Sequence, residues 1–215
     1  MTITWLGQSC FKIQSGDVTL VTDPYSPEIG FKLPRLTADI VTVSHDHFDH
    51  NNAAGVSGPN GAPFLITSPG EYEVKGDFIY GIPFWHDKSE GKERGPIIVY
   101  RIEAEGISVA HLGDLGHTLS EEQVAQLDGV DILLIPAGGK FTIGAHEASE
   151  IVSEIEPRIV VPMHYKIPGL KVDVEPVDKF LKELGASKAE KLPKLKISKK
   201  DLPQEETKVI LLEKS

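Results

Sequence analysis

Residues 45–50 read His-Asp-His-Phe-Asp-His, which puts three histidines and two aspartates into six positions. No other run constrains the chain so tightly. Five groups that bind protons or cations do not belong in an apolar core, and they are a poor way to build a solvated loop. An apolar, β-branched run, Ile40–Val43, leads in, and a small, polar run, Asn51–Gly55, leads out. The pattern predicts a buried strand, a tight loop and the start of a short helix. Loops at strand ends are where a rigid scaffold presents reactive side chains. His45 and His47 are two apart, so on extended backbone they point the same way and one divalent cation can take both imidazoles. Asp49 and His50 diverge from that pair and can serve a second cation. Zinc accepts imidazole nitrogen and carboxylate oxygen together.

Four further segments place single acidic or imidazole groups where an apolar run ends. They are Asp23 in Val21-Thr22-Asp23-Pro24, His86 in Pro83-Phe84-Trp85-His86-Asp87, Asp114 in His111-Leu112-Gly113-Asp114, and His164 in Pro162-Met163-His164-Tyr165. With the run at 45–50, their order and spacing resemble the five motifs of the metallo-β-lactamase fold hydrolases. Trp5-Leu6-Gly7-Gln8-Ser9 and Pro162–Tyr165 resemble the short branch that includes ascorbate-phosphate lactonase-like proteins. The resemblance implies an α+β fold, a four-layer αββα sandwich formed by one metallo-hydrolase domain over residues 1–215. It also implies two divalent metal ions, zinc before manganese. His45, His47 and His86 would hold one, Asp49, His50 and His164 the other, and the Asp114 carboxylate would bridge them. Asp49 and Asp114 are then the catalytic carboxylates. His111 joins them as a group that orients a ligand by hydrogen bond, and Asp23 plays the same part. Two cations roughly 3.5–4 Å apart bring the pKa of a shared water toward neutrality and hold a hydroxide ready to attack. They also stabilise the charge that develops on a carbonyl or phosphoryl oxygen.

Along the chain, residues 2–6, 9–14 and 18–22 read as strands, with Ser15-Gly16-Asp17 turning between the last two. Tyr25–Thr37 reads as a loop and Asn51–Val56 as a short helix. Phe64–Thr67 and Phe78–Ile82 read as strands with Pro69-Gly70 turning between them. Ile97–Glu103 and Ile107–Leu112 alternate as strands. Ser120–Leu127 is a helix opened by a capping box, since Gln123 lies three residues after Ser120. Asp131–Ile135 and Ile159–Val161 read as buried strands, Ala145–Ile155 and Val174–Leu184 as helices, and Val209–Leu212 as a terminal strand. The order suggests two sheets flanked by helices. Asp87–Gly95 is a charged loop directly after His86, either a solvated turn or a lid over the metal site. Arg94 in that loop, and Lys140 after Gly138-Gly139, are candidate contacts for a substrate anion. His117 and His146 read as surface or capping residues.

Composition narrows the functions. The chain has 22 basic and 32 acidic residues, a net charge of −10. An acidic surface repels polyanions, which argues against a nucleic acid partner. Lys188–Lys200 carries six lysines against one glutamate. Its alternation at Leu195-Lys196-Ile197 fits an edge strand whose lysines block aggregation. No apolar run reaches the roughly 18 residues of a membrane helix, and no signal peptide is evident, so neither a membrane nor export is expected. The single cysteine, Cys10, sits in an apolar strand pattern and reads as a buried, inert thiol. Together these suggest the cytoplasm.

The leading reading is a dinuclear hydrolase of a small ester, lactone or phosphodiester, with a small-molecule substrate as its partner. A ribonuclease of the same fold is the enzymatic alternative, and a non-catalytic metal-binding regulatory protein the other. A homo-oligomer stays open.

Overall fold

The structure, a computed structural model, describes residues 1–215. The elements in chain order are β1 (Thr2–Gly7), β2 (Cys10–Ser15), β3 (Val18–Thr22), β4 (Leu36–Thr37), β5 (Ile40–Thr42), β6 (Val56–Ser57), β7 (Phe64–Ile66), β8 (Gly70–Val74), β9 (Asp77–Trp85), β10 (Pro96–Ala104), β11 (Ile107–His111), α1 (Glu121–Gln126), β12 (Ile132–Pro136), α2 (Ala145–Ile155), β13 (Ile159–Met163), α3 (Asp178–Glu183), β14 (Glu190–Leu192), β15 (Leu195–Lys196) and β16 (Lys208–Leu212). One sheet has the order β15-β1-β2-β3-β5-β7 and a second the order β14-β16-β13-β12-β11-β10-β9-β8. The short strands β4 and β6 pair separately.

Alternating side chains on β1 and β2 send Ile3, Phe11 and Ile13 to one face, where they meet Ile79, Tyr100 and Ile102 of the other sheet. That shared core makes the sandwich. β12 and β13 are buried along their whole length, as expected of parallel strands covered on both faces. α2 buries Ala148, Ile151, Val152 and Ile155, an i, i+3, i+4, i+7 stripe, against the outer face of the larger sheet beside Phe180 of α3. The outer face of the smaller sheet is covered by Tyr25, Ile29, Leu36, Leu170 and Val174, which come from loops, a 3-10 turn and the short strand β4. The α+β sandwich expected from the sequence is therefore the observed fold, with one of its outer layers built without an α-helix. No helix is long and apolar enough to cross a membrane.

The differences from the sequence reading are local. Asn51–Val56 is not a helix. The His47 carbonyl accepts from both His50 and Asn51, the Pro24 carbonyl takes the Asn52 N–H, and Val56 pairs with Leu36, so only one 3-10 turn, Ala53–Gly55, survives. Pro69-Gly70 does not turn the chain straight from β7 into the strand at Phe78, because β8 lies between them. Gly70 opens β8, and the chain reverses at Lys75-Gly76, where both residues are left-handed (φ 55° and 89°) as a two-residue hairpin demands. The last helix starts at Asp178 rather than Val174, because Glu175 N–H bonds extended backbone to the Gly138 carbonyl and Pro176 has no N–H to give. The capping box of α1 forms as read, with Ser120 Oγ accepting from Gln123 N–H and Gln123 Oε1 from Ser120 N–H. Leu195–Lys196 is the edge strand expected of the lysine-rich segment, paired antiparallel with β1.

Parallel strands set the site. β3 runs parallel to β5, and β11, β12 and β13 run parallel to one another. β9 reaches β11 through antiparallel β10, so β9 shares their direction. The C-terminal ends of β3, β5, β9, β11 and β13 therefore open on one rim. Tyr100 ties the sheets together behind that rim: its buried hydroxyl lies 2.8 Å from the Val43 carbonyl and 3.0 Å from that of Ile66. Tyr100→Phe would leave the Val43 carbonyl buried without this donor. We expect a loss of about 1–2 kcal/mol, read as a fall in Tm of roughly 2–8 °C by scanning calorimetry.

Candidate metal centre

Each strand end delivers one part of the cluster. Asp23 follows β3, the 45–50 loop follows β5, His86 follows β9, Asp114 lies beyond β11, and His164 follows β13. Two groups form. The nitrogens of His45, His47 and His86 lie together, and so do donor atoms of Asp49, His50, Asp114 and His164, each set within 4.8 Å. His45 Nε2 is 2.9 Å from His47 Nδ1, so the pair two residues apart converges as its spacing predicts. Asp114 lies between the groups. Its Oδ2 is 3.2 Å from His164 Nε2, 3.5 Å from His86 Nε2 and 4.0 Å from His45 Nε2, while Oδ1 is 3.2 Å from His50 Nε2. Asp49 Oδ2 faces His50 Nε2 at 3.4 Å and His164 Nε2 at 3.9 Å.

The electrostatics follow from burial. Burial works to raise the pKa of Asp114, but His164 and His50 hold it well below the usual carboxylate range. Burial works to lower that of His50, but Asp114, then Asp23 and Asp49, push it well above the usual imidazole value. Burial pushes His45 down to about 3, which keeps its imidazole neutral and available as a donor. Asp114 Oδ1 and His50 Nε2 are buried with no hydrogen-bond partner although both face the cluster. Buried polar atoms are normally satisfied, so this pair fits a cation between the donor groups.

Hydrogen bonds behind the cluster fix its geometry. Asp23 Oδ2 sits 2.8 Å from His50 Nδ1, and the same carboxylate accepts from Ser44 N–H at 2.7 Å and Ser44 Oγ at 2.6 Å. Asp23 thus orients His50 and leaves Nε2 facing the cluster. His111 acts at greater remove. Its Nε2 bonds the Ser9 carbonyl at 2.8 Å, and its Nδ1 accepts from Gly113 N–H at 3.3 Å, so it reaches Asp114 only through the main chain. Sequence reading passed over Gln8. Its Nε2 donates to Asp49 Oδ2 at 2.9 Å, and its carbonyl accepts from His164 N–H at 3.1 Å and Trp5 Nε1 at 2.8 Å. The only signal for it was a polar residue inside the run Trp5–Ser9. Gln8, Asp23 and His164 are all buried and left-handed, with φ of 51°, 39° and 51°. Such strain in non-glycine residues persists only where the surroundings over-determine it. Gly138 permits the close approach on which His164 depends, since a Cβ there would meet the His164 carbonyl oxygen at 2.1 Å.

Other sequence candidates lie elsewhere. His117 stacks on Phe84, accepts from Trp85 N–H at 3.3 Å and bonds the Thr118 carbonyl at 2.6 Å, outside the cluster. His146 is exposed beside Glu150. Lys140 pairs with Asp173. Cys10 is buried, and burial pushes its thiol well up, as an inert cysteine should be.

The cluster opens on a cleft of about 410 Å³ that His47, Asp49, His86, Asp114 and His164 help to line. Phe48, between two of those residues, stays 51% exposed. From residues 87–95, Arg94 reaches the cleft wall. Asp87 organises them, its carboxylate accepting from the N–H groups of Ser89, Gly91, Glu93 and Arg94 at 2.8–3.1 Å. Buried histidines and carboxylates at the floor of a small-molecule-sized cleft suit metal-assisted hydrolysis.

Comparison with known proteins agrees. A profile of the β-lactamase superfamily domain matches residues 2–164. A UPF0173 metal-dependent hydrolase of Methanopyrus kandleri is 30% identical over 215 residues, which covers 86% of this chain and 93% of that protein. One from Thermococcus onnurineus is 33% identical over 205 residues, 83% of this chain and 91% of its own. A solved structure from Thermotoga maritima, assigned provisionally as a zinc-dependent hydrolase of the metallo-β-lactamase superfamily, superposes with a TM-score of 0.80 at 39% identity over 98% of this chain and 97% of that one. The chain belongs to the β-lactamase superfamily, as a metal-dependent hydrolase of the metallo-β-lactamase fold.

Proposed function

We propose that the chain is a single metallo-hydrolase domain that hydrolyses a small ester, lactone or phosphodiester at a dinuclear centre. The observation that carries this reading is the split of the donors into two groups with Asp114 between them. His45, His47 and His86 would hold one divalent cation, and Asp49, His50 and His164 the other, with Asp114 shared. Zinc suits a set of imidazoles and carboxylates, and manganese is the second choice. Divalent cations held there supply an acidified water and stabilise negative charge on the attacked carbonyl or phosphoryl group.

The chain's own residues do the rest. Asp23 fixes the ring of His50, and Gln8 fixes the carboxylate of Asp49 while its carbonyl anchors the backbone of His164. Asp49 and Asp114 are the carboxylates of the cluster, and the surrounding histidines hold both below the usual carboxylate range. His111 serves as a positioning residue through Gly113. Phe48 and Val172 present apolar surface to the body of a substrate. A cytoplasmic location, suggested by the lone buried Cys10, belongs to the same proposal.

Three measurements test it. Elemental analysis after zinc or manganese loading should give about two ions per chain, and saturation at one with all donors intact would contradict the shared role of Asp114. Asp114→Ala should lower both metal content and kcat/KM, the latter by about 100-fold or more, since even the hydrogen-bonding partners of metal ligands are worth 10–100-fold. His117→Ala, outside the cluster, should keep both ions. If it were the more damaging change, Asp114 would be misassigned. Finally, single-stranded RNA should bind weakly at physiological salt in filter-binding titrations. Tight binding that falls steeply with salt and is abolished by Lys196→Glu with Lys199→Glu would favour the ribonuclease reading.

A further inference from the structure

The wall of the cleft carries charge that no part of the cluster uses. Arg94 lines it, with its guanidinium carbon 5.0 Å above the centre of the Phe141 ring. No carboxylate pairs with that guanidinium. Stacking on an aromatic face holds the planar group in place and leaves its N–H edge free to meet an oxyanion in bidentate fashion. Its backbone is fixed as well, because Arg94 N–H is the donor that closes the Asp87 knot at 2.8 Å. His86 immediately precedes that knot, and its own N–H bonds the Gly95 carbonyl at 3.1 Å. A metal-cluster histidine and a free guanidinium are therefore mounted on one rigid loop.

The surrounding charges point the same way. Lys171 lines the same cleft and makes no ion pair. Asp173 is neutralised by Lys140, so Glu28 is the one unpaired carboxylate at the mouth outside the histidine cluster. Two free cations against one free anion is unexpected on a chain with a net charge of −10. A neutral substrate would give this arrangement nothing to pair with. An anionic one would be drawn in and oriented. The exposed Phe48 ring supplies apolar contact next to the cluster, so the substrate should have an apolar body as well as a charged end.

We infer that Arg94, backed by Phe141 and Asp87, is the specificity-determining residue of the hydrolase and that its substrate is a small anion with an apolar body. The charged end is a carboxylate or phosphate oxyanion held by Arg94, and the scissile group lies at the histidine cluster. This rests on the hydrolase reading above for the identity of the reaction, but not for the binding of the anion.

The test uses zinc-loaded full-length protein and three calorimetric probes: 4-phenylbutanoate, phenylphosphonate and the neutral 4-phenylbutanamide. Wild-type protein should bind one or both anions more tightly than the amide. Arg94→Gln should weaken anion binding about tenfold or more and leave amide binding alone, Arg94→Lys should retain part of the preference, and Lys92→Gln on the same loop should match wild type. Preference for the phosphonate assigns a phosphate to the charged end held by Arg94, and preference for the carboxylate assigns a carboxylate there. Should Arg94→Gln not fold, the wild-type preference and its erosion in Arg94→Lys decide. Equal affinity of wild type for all three probes, or unchanged anion binding in the Arg94 variants, would overturn the inference. Turnover of mono-4-nitrophenyl glutarate and 4-nitrophenyl butyrate, followed in parallel, separates the two readings. Hydrolysis of both esters with no charge preference would sink the role of Arg94 and leave the hydrolase. Selective anion binding with no turnover of either ester would keep the role of Arg94 and remove the acyl-ester reading.

Discussion

The Asp114 carboxylate is the constraint on which the rest of the site depends. It is buried, and its oxygens lie 3.2–4.0 Å from nitrogens of His45, His50, His86 and His164. A buried carboxylate must be compensated, and here the compensation comes from segments far apart in the chain. That requirement explains the topology. The ends of β5, β9, β11 and β13 must reach one rim, and parallel pairing in each half of the sandwich brings them there. The buried side chains between the sheets then hold the rim rigid, so the donors keep their places.

Holding that geometry costs backbone strain. Gln8, Asp23 and His164 sit in left-handed conformations, each costing of order 1–3 kcal/mol, and each is pinned by bonds that leave no alternative. Asp23 is locked to Ser44 and His50, and Gln8 to Asp49, Trp5 and His164. The same logic extends to the cleft wall, where one carboxylate, Asp87, collects four backbone N–H groups and so sets both His86 and Arg94. Binding and reaction are thereby carried by one framework.

Much of the site is legible in the sequence because its signals are local. Three histidines and two aspartates within 45–50 can be read without a fold, and His86, Asp114 and His164 each end an apolar run. Gln8 is not legible in this way. Its contact to Asp49 spans 41 residues, and nothing near it in the chain marks its amide as part of the site. Arg94 is visible as a charge on a loop, but its freedom from partners is a tertiary fact. In the fold, continuous apolar strands and the capping box at Ser120 declare themselves. Asn51–Val56 offers only two alanines among poor helix formers, and hydrogen bonds to Pro24 and pairing with Leu36 decide its path. Pro69-Gly70 looks like a turn, yet the left-handed pair Lys75-Gly76 turns the chain instead.

Zinc-edge anomalous diffraction from crystals grown with zinc would test the central claim most directly. Two peaks are expected, one enclosed by His45, His47 and His86, the other by Asp49, His50 and His164, with Asp114 touching both. A single peak, or a second one that lies away from Asp114, would contradict the account.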